Sequence, residues 1–216
     1  MFKVLQPTRL AGLELRNRFV RSATFDAMAD DTGAVTDRSL KLYGDLAAGG
    51  VGLIFTGYAF VSKQGQTRRQ QYGIHCDEMI PGLKNLARAV QQDGAKIAVQ
   101  IVHGGGWSRH LAREGKVAIA PSVIEGTQLC REMTEDEIEG VLGEFAAAAL
   151  RAREAGFDGV QLHGAHGFLF SQFLSPLTNR RQDSWGGRAE NRWRFHVEAV
   201  RRVKTAVGRD FPVMMK

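Results

Sequence analysis

Short apolar runs alternate along this chain with amphipathic stretches of helical period, and this alternation constrains the fold more than any other feature. Runs of this kind, with no polar alternation, are typical of strands buried on both faces. Strands that alternate with helices pair in parallel through right-handed crossovers. The predicted strands are 18–22, 51–57, 96–101, 159–163 and 211–216, and the predicted helices are 36–48, 80–92, 134–156 and a helix that begins at Ser184 and includes Val207.

Local signals support these assignments. Thr36 is a predicted helix N-cap, and Gly49 and Gly50 stop the helix that follows. The segment Thr134-Glu135-Asp136-Glu137 has the pattern of a capping box. Residues 2–19 combine short apolar stretches with turn residues, which predicts an N-terminal hairpin or cap. Residues 104–130 show little periodicity and are predicted to form a long, functional excursion.

Two architectures fit this order of elements, a doubly wound sheet and a (β/α)₈ TIM barrel. The glycine-rich dinucleotide fingerprint is absent after the first predicted strand, where Ser22-Ala23-Thr24-Phe25-Asp26 stands instead. This favours the barrel. A closed barrel needs eight strands and about 250 residues, whereas the chain has 216 residues. We therefore expect residues 1–216 to be a single domain, the N-terminal part of a longer barrel, rather than a half barrel that dimerises.

Composition narrows the classes of function. Hydrophobic residues make up 44% and charged residues 24%, as in ordinary globular proteins. No apolar run approaches the roughly 20 residues of a membrane helix, and the N-terminus lacks the apolar region of a signal peptide. With two cysteines and a net charge of +6, the chain is expected to be cytoplasmic. We expect a small-molecule substrate, with neither nucleic acid nor membrane as a partner, and homo-oligomer formation is compatible with this.

Polar residues and glycines cluster where the predicted strands end, which is the functional face of a barrel. His163 and His166 could donate hydrogen bonds to a substrate oxyanion, or they could simply bond to nearby backbone. Together with His103 they could bind zinc, as in a hydrolase. The glycines 104–106 would let the backbone approach a flat ligand.

Three segments carry a resemblance to a known family. Residues 163–192 read HGAHGFLFSQFLSPLTNRRQDSWGGRAENR, residues 17–24 read NRFVRSAT and residues 100–105 read QIVHGG. Together they resemble the NADH:flavin oxidoreductases of the Old Yellow Enzyme family, over essentially the whole chain.

The resemblance implies a (β/α)₈ barrel that holds FMN at its C-terminal mouth. It implies hydride transfer from NADH or NADPH to the flavin, and then from flavin N5 to an activated alkene or a similarly electron-poor substrate. It also implies roles for individual residues. His163 and His166 would be catalytic and bind the electron-withdrawing oxygen of the substrate, and the FMN would be held by Ala23, Thr24, Gly57, Gln100 and Lys216.

The chain departs from the family pattern at three points. Phe168 stands where the family usually has a tyrosine that is thought to protonate the substrate, and phenylalanine has no proton to give. Phe25 stands where one branch has a redox-tuning cysteine. The chain also ends before the loops that bind the FMN phosphate, so we expect these 216 residues alone to bind FMN weakly or not at all. A flavin-free half barrel with a binding or assembly role stays open as an alternative, as does the zinc hydrolase.

Overall fold

The computed structural model describes residues 2–126 and 129–216. It opens with a 3₁₀ turn, Lys3–Leu5, and an antiparallel hairpin of β1 (Thr8–Leu10) and β2 (Leu13–Leu15). Ala11 and Gly12 form the two-residue hairpin loop with φ angles of 50° and 89°, the left-handed pair that matches the twist of a tight hairpin. The predicted N-terminal hairpin is confirmed.

A parallel sheet follows the hairpin. The strands after the hairpin are β3 (Val20–Arg21), β4 (Leu53–Phe55), β5 (Ala59–Phe60), β6 (Lys96–Val102), β7 (Ala118–Ala120), β8 (Cys130–Glu132), β9 (Gly159–Leu162) and β10 (Val213–Met215). In the main sheet they pair in the order β10-β9-β6-β4-β3, and the short β5 adds to β6. A separate parallel pair joins β7 and β8. All five predicted strands are present. Four of them are shorter than the sequence predicts, and the third, β6, extends one residue further, to Val102.

Helices connect the strands as the alternation predicts. Thr36 and Thr134 both act as N-caps in capping boxes, with their hydroxyls accepting from the backbone of the third helical residue. Within the described ranges, none of the helices has the length and hydropathy needed to cross a membrane. The helices are α1 (Asp37–Ala48), α2 (Ile80–Gln91), α3 (Arg109–Arg113), α4 (Glu135–Glu154), α5 (Leu169–Leu174) and α6 (Ala189–Val207).

The last helix starts later than predicted. It begins at Ala189 rather than at Ser184, because a hydrogen-bonded loop occupies the residues before it. Asn179 Nδ2 donates to the carbonyl oxygens of Phe173 and Trp185, each at 2.8 Å. Asp183 accepts from the backbone of Trp185 at 2.9 Å and pairs with the buried Arg181 guanidinium at 2.5 Å. These bonds close the loop and keep residues 184–188 out of the helix.

Residues 104–130 are more ordered than the sequence predicts. The described part of this segment contains α3, β7 and the first residue of β8, and β7 pairs with β8 in parallel. Elements of three to five residues are too short to show a hydrophobic period, because their residues cover barely one repeat. Their positions come from packing against the sheet and not from a local pattern.

The two faces of the main sheet bury different sets of residues. Ile97, Val99 and Ile101 of β6 point into the large core between sheet and helices. Ala98 lies on the opposite face, in a smaller cluster with Leu53 and Leu15. Leu15 belongs to the hairpin, so the hairpin packs against the face of the sheet that lines a barrel interior.

An aromatic cluster joins α4, α5 and α6 in the outer layer. The Phe173 and Phe195 rings stack with centroids 4.2 Å apart, and both Phe145 and Phe170 contact Phe195. Phe195 has no exposed surface. The stack fixes α5, which lies within the 163–192 motif, against the long helix α6.

We expect Phe195→Ala to lower the free energy of unfolding by about 3–5 kcal/mol, because it removes a buried ring and leaves a cavity. Urea denaturation measures this change. Val197→Ala on the same helix is the matched control, since Val197 is 58% exposed and its truncation should cost less than about 0.5 kcal/mol. Equal losses in the two variants would contradict the assigned packing.

Candidate active site

The parallel strands bring their C-terminal ends to one edge of the sheet. The backbone N–H of His163 donates to Ile101 O at 3.0 Å, and that of Lys216 donates to Leu162 O at 3.0 Å. Gly164 N donates in turn to Lys216 O at 2.9 Å. The residues that follow β6, β9 and β10 are therefore hydrogen-bonded neighbours.

Ala23, Thr24 and Gly57 lie at the same edge, after β3 and β4. A Cβ atom on Gly57 would lie 3.0 Å from Thr24 O and 3.1 Å from the Asp26 carboxylate. A larger residue at position 57 would therefore force these neighbours apart. Ala23 is half-buried and Thr24 is exposed, so the Thr24 hydroxyl is accessible from the open side of this edge.

A half-buried carboxylate, Asp26, and the buried phenol of Tyr43 support this corner, and sequence reasoning missed them. The Tyr43 hydroxyl donates to Asp26 Oδ2 at 2.7 Å and accepts from Gly57 N at 2.7 Å. The Tyr72 hydroxyl lies 2.9 Å from Ser39 Oγ. Burial and then the negative charge of Asp26 raise the pKa of the Tyr43 phenol far above its ordinary value. The phenol thus stays protonated and holds both Asp26 and the Gly57 backbone in place.

Gln100 lies on the barrel-interior face of β6 and is buried. Its Nε2 donates to Gln161 Oε1 at 2.6 Å, and the two residues are register partners in the parallel pair β6–β9. Sequence reasoning did not single out Gln161. The sequence did contain a feature that could have identified Gln161, because it is a lone polar residue within the apolar strand 159–162 and lies on the same face of the sheet as Gln100.

His163 is buried, with 1% of its surface exposed. Burial, aided by the positive charges of His166 and Lys216, lowers the pKa of its imidazole to about 4. Its Nδ1 accepts from the backbone N–H of Ala165 at 3.4 Å. A neutral imidazole that accepts at Nδ1 carries its proton on Nε2, which makes Nε2–H a hydrogen-bond donor.

Aromatic rings surround His163. The His166 ring lies 5.0 Å from it, edge to face, and the rings of Phe168 and Tyr58 lie at 5.1 and 5.8 Å. Phe25 stacks on Tyr58 at 5.6 Å. His166 itself is exposed and adopts φ 60°, a left-handed conformation that non-glycine residues hold only under constraint. The edge of the sheet thus presents two imidazoles within an apolar aromatic group.

His103 does not join this group. Its Nδ1 accepts from Gly105 N at 3.1 Å, and its ring packs on Gly65, where a Cβ would lie 2.4 Å from the imidazole Cδ2. Across residues 2–126 and 129–216, no three His, Cys, Asp or Glu side chains are arranged to hold a metal ion. The alternative of a zinc site formed by His103, His163 and His166 is not supported, because the His103 ring packs on Gly65.

The glycines 104–106 serve packing within the protein. A Cβ on Gly105 would lie 2.2 Å from Gln172 Oε1, and one on Gly104 would lie 2.7 Å from Thr67 Cγ2. Gly106 N donates to Gln172 Oε1 at 3.0 Å. The glycines therefore accommodate protein neighbours, and the expectation that they approach a flat ligand is not supported.

A cavity of about 170 Å³ opens beside the imidazole of His166. Trp107 forms one wall, and its Nε1 would lie 3.4 Å from a Cβ placed on Gly167. Sequence reasoning missed this wall because Trp107 and the loop 67–68 are distant from the histidines in the chain. The lining residues are Thr67, Arg68, Trp107, Arg109, His166 and Phe168.

Comparison with known proteins gives this edge of the sheet a context. Residues 3–216 match the family model for the NADH:flavin oxidoreductase / NADH oxidase family. The chain belongs to this family.

The chain is similar to family members of several activities. It is 42% identical over 213 residues to an NADH oxidase of Thermoanaerobacter brockii, covering 96% of this chain and 33% of that protein. It is 41% identical over 207 residues to an NADPH dehydrogenase of Geobacillus sp. (strain WCH70), covering 93% and 60%. The structure of morphinone reductase in complex with tetrahydroNAD superposes with a TM-score of 0.90 at 31% identity, over 100% of this chain and 63% of that one.

The chain spans about a third to three fifths of the length of these relatives. The sheet order and the structural match confirm the predicted fold class, with the chain forming part of a (β/α)₈ barrel. The motif 163–192 begins directly after β9 and contains α5 and the start of α6. The assignment of residues 1–216 to one domain stays a prediction.

The buried state of His163 predicts an acid-dependent stability. The imidazole titrates near 6.5 when exposed and near 4 in the fold, so between these values the unfolded chain binds more protons. Acidification from pH 7 to pH 5 then lowers the free energy of unfolding by about 2 kcal/mol through this residue. His163→Asn should reduce the acid sensitivity by that amount in urea denaturation at the two pH values. Phe168→Leu, which removes no ionisable group, should leave it unchanged.

Proposed function

We propose that this chain forms the flavin- and substrate-binding face of an FMN-dependent NAD(P)H oxidoreductase that reduces electron-poor alkenes. One observation carries the proposal. His163 and His166 lie with rings 5.0 Å apart at the strand edge that also holds Gly57, Gln100 and Lys216. Family membership supports the redox class, and the relatives include an NADH oxidase and an NADPH dehydrogenase.

The residues at this edge fit FMN by the chemistry of their donors. The flavin pyrimidine presents two carbonyl oxygens and an N–H, and a primary amide can serve both kinds of group. The buried Gln100 amide, the Thr24 hydroxyl and the Lys216 ammonium are proposed to bind the ring. Ala23 and Gly57 offer small surfaces beside it. Bound FMN supplies the hydride-transfer chemistry, with NADH or NADPH as the reductant.

The two imidazoles are proposed to bind the electron-withdrawing oxygen of the substrate. His163 is neutral at physiological pH because of its lowered pKa, and its Nε2–H is the donor. His166 is exposed, and its ring edge adjoins the same space. Two donors aimed at one oxygen stabilise the negative charge that develops there during reduction of the conjugated alkene.

Phe168 changes how a proton could reach the substrate. Its ring lies 5.1 Å from that of His163 and 5.6 Å from that of Tyr58, close enough to line the substrate space. The benzyl side chain can neither donate nor accept a proton. We propose that protonation of the substrate carbon is slow in this protein or draws on water.

We expect His163→Ala and His166→Ala each to weaken binding of a para-substituted phenol by roughly tenfold or more, because each removes a hydrogen bond to a charged oxygen. Isothermal titration in excess FMN, with the substitutions made in a full-length version of the protein, measures the affinity. His110→Ala, which changes a histidine on α3, is the control and should bind the phenol as the unmodified protein does. Unchanged affinity in both site variants would contradict the assigned role.

Phe168→Tyr tests the role of the missing phenol. If proton delivery limits turnover, the added hydroxyl should raise the rate of alkene reduction, because a positioned general acid contributes about 10²–10⁴-fold. Stopped-flow measurement of flavin reoxidation by an enone follows this step. Phe168→Leu is the control, since it changes the shape of the side chain without adding a proton donor. A rate that is the same in all three proteins would show that the proton comes from elsewhere.

The proposal extends to location and assembly. A chain with two cysteines suits a reducing compartment, so we propose a cytoplasmic protein that acts on a small molecule and assembles as a homo-oligomer. Nothing in the described residues favours the flavin-free half barrel over this function.

A further inference from the structure

A second cavity, of about 510 Å³, adjoins the space beside the histidines, and it is strongly basic. Arg68 and Arg109 line both this cavity and the smaller one that contains His166. Arg69 and Arg113 complete its basic lining. A single elongated molecule could therefore occupy both spaces, with one end near His166 and the other among the arginines.

Three of the four arginines have no neutralising partner among the described residues. Asp31 is the only acidic residue among the described ones that line this cavity, and it is already paired with the fourth, Arg69, at 2.9 Å. Among residues 2–126 and 129–216, no carboxylate pairs with Arg68, Arg109 or Arg113. Like charges gathered without counter-charges repel one another. Such an arrangement favours the binding of an anion.

The neighbouring carboxylate is engaged elsewhere. Arg113 also lines an adjoining cavity that contains Glu114. Glu114 pairs with Lys116 at 2.8 Å and with His110 at 3.1 Å. The positive charge of Arg113 therefore stays available to a ligand.

The loop that carries Arg68 is rigid. The buried Gln71 carboxamide oxygen accepts from Thr67 N at 2.8 Å and from Thr67 Oγ1 at 2.9 Å. His110 N donates to Thr67 O at 3.1 Å, which ties the loop to α3. Arg68 and Arg109 thus project from two backbone segments that are already hydrogen-bonded together, so a ligand has to order the two side chains but not this backbone.

We propose that Arg68, Arg109 and Arg113 form a binding site for the pyrophosphate group of an elongated ligand whose reactive end lies at His166. Guanidinium groups bind phosphate oxygens in bidentate fashion, and their charge persists at every physiological pH. The identity of the reactive end rests on the proposed function. The pyrophosphate belongs either to the dinucleotide that donates the hydride or to a phosphorylated acceptor.

Isothermal titration of the 216-residue chain with ADP-ribose and with inorganic pyrophosphate tests the site without flavin. We expect both probes to bind, and to bind less tightly as salt is raised, because the contacts are between charges. The double variant Arg109→Gln/Arg113→Gln should weaken both by roughly tenfold or more. Arg88→Gln is the control for loss of a surface arginine elsewhere, because Arg88 lies exposed on α2 and lines neither cavity. It should bind both probes as the unmodified chain does.

The two probes separate the sources of the phosphate. Tighter binding of ADP-ribose than of pyrophosphate assigns the site to a ligand that contains an adenosine diphosphate group, as the hydride-donating dinucleotide does, and equal or weaker binding assigns it to an acceptor without that group. Absence of binding by both probes overturns the proposal, and so does equal weakening in Arg88→Gln and in the double variant. Neither probe carries an enone or a phenol. A negative result therefore leaves the histidine assignment untouched, and failure of the phenol titration leaves this site untouched.

Discussion

The parallel pairing of β6 with β9 is the constraint on which the rest of the structure depends. It aligns Gln100 with Gln161 and Ile101 with Leu162, and β4 and β10 add on either side in the same direction. Because parallel strands end at a common edge, residues that are far apart in the chain become neighbours there. A shift of one residue in this register would turn Gln100 toward the helices and bury an unpaired amide in the apolar core.

Packing on the two faces of the sheet makes that register stable. The helix side buries a continuous apolar layer, while the inner side contains the small hairpin cluster and then the glutamine pair. Buried polar groups are costly unless they are hydrogen-bonded. The amide pair, the Asp26–Tyr43 bond and the backbone bonds of His163 meet this condition. The polar edge of the sheet can thus coexist with a dry core.

Charge is distributed unevenly around the proposed site. Burial keeps His163 neutral and keeps the Tyr43 phenol protonated, so the centre of the edge offers neutral donors. The arginines lie further out, around the second cavity. Neutral hydrogen-bond donors thus lie where the substrate is proposed to react, and the positive charges lie further away. This arrangement suits a reaction in which negative charge develops on one oxygen of a larger anionic molecule.

The sequence by itself determined the elements whose signals are local. The strand and helix alternation, the capping boxes at Thr36 and Thr134, the hairpin and the 163–192 motif all depend on residues close together in the chain. Each was predicted correctly in kind because hydrophobic period and capping act over one or two turns. The family followed from the resemblance of these motifs, and the strand order predicted the edge at which the proposed site residues lie.

Only the tertiary structure decided the rest. In the folded chain the His103 ring packs on Gly65, and Gly104 and Gly105 pack against Thr67 and Gln172. Helix α6 begins at Ala189, five residues later than the sequence predicts. The tertiary structure also assembled the Asp26 network and the arginine cavity from segments tens of residues apart. No local pattern encodes these contacts, because each depends on which distant side chain the fold places opposite a given atom.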